Sequence, residues 1–281
     1  MASPGRRQRD GFNALTRGRD GFFLYNRNDI YIGRSLERYG EYSALELALL
    51  TRLCGRGDVV LEVGANIGAH TISLARHVGP SGRVLAFEPQ RLIFQTLCAN
   101  VALNSLANVE CYWAAVGSAG GRRAVPERDP TRKNNFGGLS LRGARHGLRV
   151  ECLRLDRFLS LTRVTLVKVD VEGMEIEVLR GGRQLIGKFR PILYVENDRV
   201  ERSKTLMRLI DRLEYRMFWH LPPLFNPKNF KSERANIFPG VVSVNMLCIP
   251  REAKLALEGF IEIRDFGSHP LRPKPGRGKN A

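Results

Sequence analysis

Between Val59 and Pro89 the chain reads VVLEVGANIGAHTISLARHVGPSGRVLAFEP, an order of signals that few folds accommodate. Val59 to Val63 is a short apolar run, as in a strand buried on both faces of a parallel sheet. Gly64-Ala65-Asn66-Ile67-Gly68 then turns the chain, and the missing Cβ at Gly64 and Gly68 lets backbone pass close to a ligand. Ile67, Thr71, Leu74 and Val78 follow at helical spacing, and Gly79-Pro80-Ser81-Gly82 ends that helix. Arg83 to Phe87 forms a second strand, closed by Glu88-Pro89. The segment predicts one right-handed βαβ unit whose ligand edge lies at the strand C-termini.

Two nucleotide-like ligands suit such a crevice. A dinucleotide calls for Gly-x-Gly-x-x-Gly, but Asn66 stands at the central glycine. S-adenosylmethionine carries no phosphate and needs a carboxylate for its ribose hydroxyls, which Glu88 supplies as a double acceptor. Glu62, just before the turn, is a candidate for the ligand's amino group, directly or through water. The plain alternative is a βαβ unit with Glu88 as a solvated strand end.

Residues 1–20 are polar and Arg-rich and read as a poorly ordered basic tail. Residues 21–57 read as an N-terminal cap: two short strands within Gly21 to Ile32, turning at Asn26 to Asp29, then a helix carrying Leu45, Ala48, Leu49 and Leu53. Simple edge coverage of the sheet is an equal alternative. Residues 58–250 hold the main α/β domain, and 251–281 a C-terminal extension with a basic, Pro- and Gly-rich tail. After Pro89 the expected order is a helix over Arg91 to Leu103, a third strand over Asn108 to Trp113, and a small-residue continuation through Ala114-Ala115-Val116-Gly117. Ala115 there suits a flat adenine ring, beside Pro89. Residues 120–150 look irregular, with Asn134 to Gly138 either a loop over the site or a turn, and Leu148 to Leu153 a further strand. Val164 to Val169, Pro191 to Val195, Tyr215 to Trp219 and Val241 to Ile249 complete seven main strands, and 220–239 is a long loop of the kind that serves as a lid.

Ligands of open α/β sheets sit outside the carboxyl ends of the strands. Here those ends carry Glu62, Glu88, Asp170, Glu172 and Glu196-Asn197. Taken singly, Asp170 reads as a helix cap and Glu172 as a dipole partner. Together they predict an acidic pocket in a basic protein. Methyl transfer from a sulfonium cation accounts for it, with Asp170 as first candidate for general base or orienting group and Glu172 and Glu196 second. His70 and His220 are rivals placed below the acids. Asp170, Glu196 and the Asn197 amide also make an Mg2+ site through oxygen ligands a secondary option, with no residue assigned as ligand.

These motifs resemble the FkbM family of S-adenosylmethionine-dependent methyltransferases over roughly residues 21–250. The resemblance rests on Glu62-Val63-Gly64-Ala65-Asn66-Ile67-Gly68, on Phe87-Glu88-Pro89, and on Lys168-Val169-Asp170-Val171-Glu172-Gly173 with Glu175, Val178, Leu179, Arg180 and Gly181. Tyr39-Gly40-Glu41-Tyr42 and Leu193-Tyr194-Val195-Glu196 add to it. Glu62 departs from the family's usual Asp by one methylene. The resemblance implies a class I, Rossmann-like, mostly parallel seven-stranded sheet with helices on both faces. It implies Gly64, Asn66, Gly68 and Glu88 at the cofactor, and methylation of hydroxyls on small molecules such as sugars, glycolipids or polyketides. Asp170-Val171-Glu172-Gly173 stands where many amino-methylating enzymes carry Asn/Asp-Pro-Pro-Tyr, which favours O-methylation.

The net charge of +17 leaves nucleic acid open as a partner, an RNA-methyltransferase alternative. Aromatic residues are not interleaved with the basic segments, and no separate RNA-binding module is visible, so this is not favoured. A non-catalytic binding protein on the same fold is the other alternative. No apolar run approaches ~20 residues, so no transmembrane helix is expected. The five scattered cysteines form no Cys-x-x-Cys, which fits a reduced cytoplasm rather than a zinc site or disulfide framework.

Overall fold

The computed structural model describes residues 11–255, 257 and 259–272. The chain opens with β1 (Asn13–Gly18) and β2 (Gly21–Asn26), then α1 (Ile32–Tyr39) and α2 (Ala44–Arg52). Next come β3 (Val59–Val63), α3 (Ala69–Val78), β4 (Arg83–Phe87), α4 (Arg91–Leu103) and β5 (Val109–Tyr112). A small-sheet segment follows: β6 (Ala114–Val116), β7 (Gly121–Val125) and β8 (Leu148–Leu153). Then come β9 (Leu166–Val169), α5 (Glu175–Gly181), α6 (Arg183–Phe189), β10 (Ile192–Glu196), α7 (Val200–Arg212), β11 (Tyr215–His220) and β12 (Asn245–Pro250).

The main sheet has seven strands in the order β11-β12-β10-β9-β3-β4-β5. β3 pairs in parallel with β4 and β9, β4 with β5, and β9 with β10, while β12 runs antiparallel between β10 and β11. Alternation of side chains gives the central strands two buried faces. Leu61, Val63, Leu85, Val167 and Leu193 pack on one side with Ile176, Val178, Leu185 and Met207 of α5, α6 and α7. Val60, Val84, Leu166 and Leu247 pack on the other with Leu49, Leu50, Leu74 and Val78 of α2 and α3. This is the class I methyltransferase architecture, and it brings the C-terminal ends of β3, β4, β9 and β10 to one edge.

Several local expectations are corrected. The N-terminal hairpin lies earlier: residues 13–18, expected in a poorly ordered tail, pair with 21–26, and the chain turns at Arg19-Asp20. The buried, alternating Phe23 and Tyr25 fix that register against α4, where the Asn100 and Asn104 side chains bind the Leu24 and Phe22 backbone. Asn26 to Asp29 instead forms an Asx turn, Asn28 N donating to Asn26 Oδ1 at 2.8 Å, that leads into α1. Ala114–Val116 does not extend the third strand. It leaves the main sheet and pairs with β8, which also carries β7, in a separate three-stranded sheet. α5 ends at Gly181, and Gly182 joins it to α6. Residues 259–272 fold back on the domain, with Ile263 N on Met217 O and His269 Nε2 against Asn197 O, both at 2.8 Å. Residues 1–10 and the tail from 273 lie outside the described residues.

Candidate active site

The turn after β3 is locked to its neighbours by backbone. Gly64 N and Ala65 N both donate to Phe87 O at 3.0 Å, and Asp170 N donates to Val63 O at 3.0 Å. Gly64 has φ +88°, and a Cβ there would lie 1.8 Å from the Asp170 carbonyl oxygen. The glycine is therefore required by the approach of the Asp170 turn, not only by a ligand. Asn66 takes the left-handed conformation that Asn tolerates better than most residues, φ 52°. Gly68 does not reach the cavity wall as expected; it sits at the start of α3, where a Cβ would meet Leu97 Cδ1 at 2.8 Å.

A cavity of about 370 Å³ opens over this edge. Glu62, Gly64, Ala65, Asn66, Glu88, Asp170, Glu172 and Glu196 all line it. A narrow slot adjoins it, walled by Glu88, Pro89, Ala115 and Met174 and sharing Gly64, Asp170 and Glu172 with the cavity. Larger open clefts lie elsewhere, for example beside α2 and α3, but they gather no comparable set of strand-end acids.

The buried Glu88 carboxylate is held by backbone on both oxygens: Asn66 N donates to Oε2 at 3.1 Å and Gln90 N to Oε1 at 2.9 Å. Each oxygen keeps a further lone pair for a ligand hydroxyl. Burial pushes the Glu88 carboxyl up to about 7, against those two hydrogen bonds. Glu62 is also raised by burial to about 7; its Oε2 accepts from Thr71 Oγ1 at 2.6 Å, and the residue lines the cavity.

Asp170 differs. Burial opposes its ionisation, but Lys168 Nζ donates to Oδ2 at 2.9 Å and brings its pKa below the ordinary value. Lys168 is buried in the middle of β9, and Nζ also lies 3.8 Å from Glu46 Oε1. Burial opposes its charge, yet Asp170, Glu46 and Glu62 hold its pKa above the ordinary lysine value. Glu172 stands on a left-handed residue, φ 56°, and pairs with Arg199. Burial and then Asp170 raise it to about 8, and burial with Asp170 and Glu172 raises Glu196 well above the ordinary carboxyl range.

Asp170, Glu172 and Glu196 each present one oxygen within 4.8 Å of the others. Asn197 is not with them: its amide is buried and donates to Ser203 Oγ at 2.9 Å. His220 bonds Tyr194 through Nδ1 at 2.7 Å rather than facing the cavity. His70 does line it, and burial lowers its pKa to about 3, so it stands neutral.

The rest of the wall comes from remote segments. Tyr31, Ile32, Tyr42 and Glu46 enter from the N-terminal segment. Asn135, Gly137 and Gly138 lie over the site, gathered by Arg128, which binds Asn134 Oδ1, the Asn135 carbonyl and the Gly138 carbonyl. Leu224 and Val241 to Asn245 form the far side. The 220–239 segment is docked, not free. Glu41 accepts from Asn226 Nδ2 at 2.8 Å and Phe230 N at 3.0 Å, and the Tyr39 hydroxyl bridges Ala235 O and Ile237 N. Glu46 and Lys168 were not singled out as site residues from sequence. The signal for Lys168 was a lysine inside an otherwise apolar central strand; Glu46 gave none, because only the packing of α2 on α3 brings it here.

The family model of the FkbM methyltransferase domain matches residues 62–217, more than half of the 281-residue chain. Methyltransferase 1 of Beauveria bassiana is 31% identical over 143 residues, 43% of this chain and 57% of that protein. Methyltransferase sdnD of Sordaria araneosa is 30% identical over 154 residues, 43% of this chain and 59% of that protein. The matches thus span under three fifths of these curated relatives. Among solved structures, an FkbM methyltransferase from Methylobacillus flagellatus aligns with TM-score 0.45 and 18% identity, over 69% of this chain and 44% of that one.

Proposed function

Because the chain belongs to the FkbM methyltransferase domain family, we propose that it moves a methyl group from S-adenosylmethionine to a hydroxyl of a small molecule in the cytoplasm. The observation that carries this reading is a pairing at one cavity. Glu88 is a buried double acceptor fixed by backbone amides, and across from it Asp170 is a carboxylate kept ionised by a buried lysine.

The walls fit the donor. Glu88 would accept from both ribose hydroxyls, Gly64 to Asn66 would run their backbone along it, and Pro89 and Ala115 would flank the adenine in the narrow slot. When bound, the donor supplies a methyl group on a sulfonium, open to in-line displacement. Asp170 would orient the acceptor hydroxyl and take its proton as the oxygen–carbon bond forms. Glu172, held by Arg199, and Glu196, whose carboxyl burial pushes up, would hydrogen-bond the acceptor's other oxygens. Asp170 and Glu172 are already answered by Lys168 and Arg199, so we assign no metal to the three acids.

The lining also favours a neutral acceptor over RNA, since the ionised Asp170 would oppose a phosphate chain at the reacting end. Calorimetric titration with S-adenosylhomocysteine tests the donor site: micromolar binding is expected, lost in Glu88→Ala. Turnover of a panel of hydroxylated acceptors, read as methylated product, tests the reaction. Absence of binding by folded wild-type protein would sink the reading, and product on RNA alone would replace it with the nucleic-acid alternative.

A further inference from the structure

Part of the cavity wall comes from beyond the stretch that the FkbM domain model matches. That match ends at residue 217, yet Leu271 lines the cavity. The chain reaches it along the outer edge of β11, where Glu262 bridges Phe218, Ile263 N donates to Met217 O at 2.8 Å and the Ile263 side chain joins the core. His269 then pins the segment. It is buried, with its ring edge-on to Trp219 at 5.2 Å. Its Nδ1 accepts from Leu271 N at 3.1 Å, so in the neutral ring the proton sits on Nε2, which donates to Asn197 O at 2.8 Å. Asn197 N in turn donates to Val244 O at 2.8 Å. One residue beside Glu196 thus ties two remote wall segments, 259–272 and 241–245, to the end of β10.

Those two segments carry the apolar side of a cavity whose strand-end side is acidic. Leu271 is 51% exposed and Val242 42% exposed, while Leu224 and Val244 are buried; all four line the cavity. The run Val241 to Val244 offers one polar side chain, Ser243. Single exposed apolar residues need no explanation, but here two from distant segments share one cavity with two buried ones, and an apolar ligand covering them would release their water. We propose that Leu271, positioned by His269, is a specificity-determining residue that packs on the body of the acceptor, and that the acceptor is an alcohol or phenol with an apolar body rather than a free sugar. A free sugar carries hydroxyls on every side, and those facing Leu271 and Val242 would lose water without gaining a partner. An apolar body keeps its oxygens at the acidic wall, the reacting hydroxyl toward Asp170, and buries the remainder against leucine and valine.

The assignment presupposes the proposed donor site and a hydroxyl acceptor, so its test is built for the two to fail differently. The full chain is assayed with S-adenosylmethionine and four probes: 1,2-octanediol and 2-naphthol, whose bodies are apolar, and glucose and myo-inositol, whose bodies are not. S-adenosylhomocysteine is titrated beside them. The apolar pair is expected to show kcat/KM roughly tenfold higher or more. Leu271→Ser should raise KM for that pair roughly tenfold and leave kcat and S-adenosylhomocysteine affinity within about twofold, which also reports a folded variant. His269→Ala should do the same. His269→Gln, whose amide can donate to Asn197 O and accept from Leu271 N, should restore the lower KM. Sugars turned over as well as the apolar pair, a wild-type KM in Leu271→Ser, or an equal loss of S-adenosylhomocysteine binding overturns the proposal and leaves methyl transfer to a hydroxyl standing. Protein that binds S-adenosylhomocysteine but methylates none of the four overturns the proposal together with the hydroxyl acceptor. Wild-type protein that does not bind S-adenosylhomocysteine overturns the donor site itself.

Discussion

The carbonyl oxygen of Asp170 sits where a side chain on Gly64 would begin, 1.8 Å from an ideal Cβ. The glycine turn and the acidic turn are two halves of one joint, closed by Asp170 N on Val63 O. Gly64→Ala cannot be absorbed by a rotamer change, because the obstacle is backbone and the φ of +88° is itself unfavourable for alanine. Stability is expected to fall by about 3 kcal/mol or more, with donor binding lost, as read by chemical denaturation and calorimetry. A variant of unchanged midpoint would show that the joint yields.

Lys168 is the only cation bonded to Asp170 among the described residues. In Lys168→Met, Asp170 faces Glu46, Glu62 and Glu196 without it, and its ionisation is expected to move toward neutral pH. Turnover at pH 6 should drop roughly tenfold or more and recover in part at pH 9. A uniform loss across the pH–rate profile would make Lys168 a structural residue only.

The buried acids set a pH dependence of stability. Glu62, Glu88 and Glu175 are raised to about 7 and Glu172 to about 8, chiefly by burial. The folded protein therefore holds protons that the unfolded chain has released. The stability this confers is full below about pH 4.5 and is lost as pH rises through 7 to 8. His70, lowered to about 3, acts in the opposite sense but only below its ordinary 6.5. Between pH 6.5 and 8 the thermal midpoint of ligand-free protein is expected to fall. A flat or rising midpoint by scanning fluorimetry would contradict these assignments.

Arg128 ties Asn134, Asn135 and Gly138 into the roof over the cavity, and Gln90 Nε2 holds the Phe136 carbonyl at 3.0 Å. Arg128→Ala is expected to raise amide exchange in 134–138 roughly tenfold and to weaken S-adenosylhomocysteine a few-fold. Exchange confined to its wild-type rate would mean that Gln90 and packing suffice.

The parts legible in sequence are those whose signal is local. The helix expected over Arg91 to Leu103 and the strand over Leu148 to Leu153 match α4 and β8 at the observed bounds. The strand-turn-helix-strand run around Gly64 and the acids at strand ends place Glu88 and Asp170 at one edge. What escaped depends on partners far along the chain. Nothing near Ala114 shows that it pairs with Glu151 rather than continuing its strand. Nothing near Asn197 shows that its amide turns to Ser203. The first hairpin escaped because NALTRG is half exposed and lies in a basic stretch, so composition hid its alternation. Glu46 and His70 meet only through the packing of two helices, which is visible only in three dimensions.

The strand latest in sequence, β12, is the one inserted between β10 and β11. A chain emerging from the ribosome therefore carries β10 with a bare edge, and β11 with nowhere to attach, until about residue 250 has been made. The far wall of the cavity, Val241 to Asn245, arrives with that same strand. Completion of the cavity and sealing of the sheet are thus one late event in biosynthesis. A nascent chain stalled before it exposes a β edge that a second copy can pair with, so translation rate around codon 250 bears directly on yield.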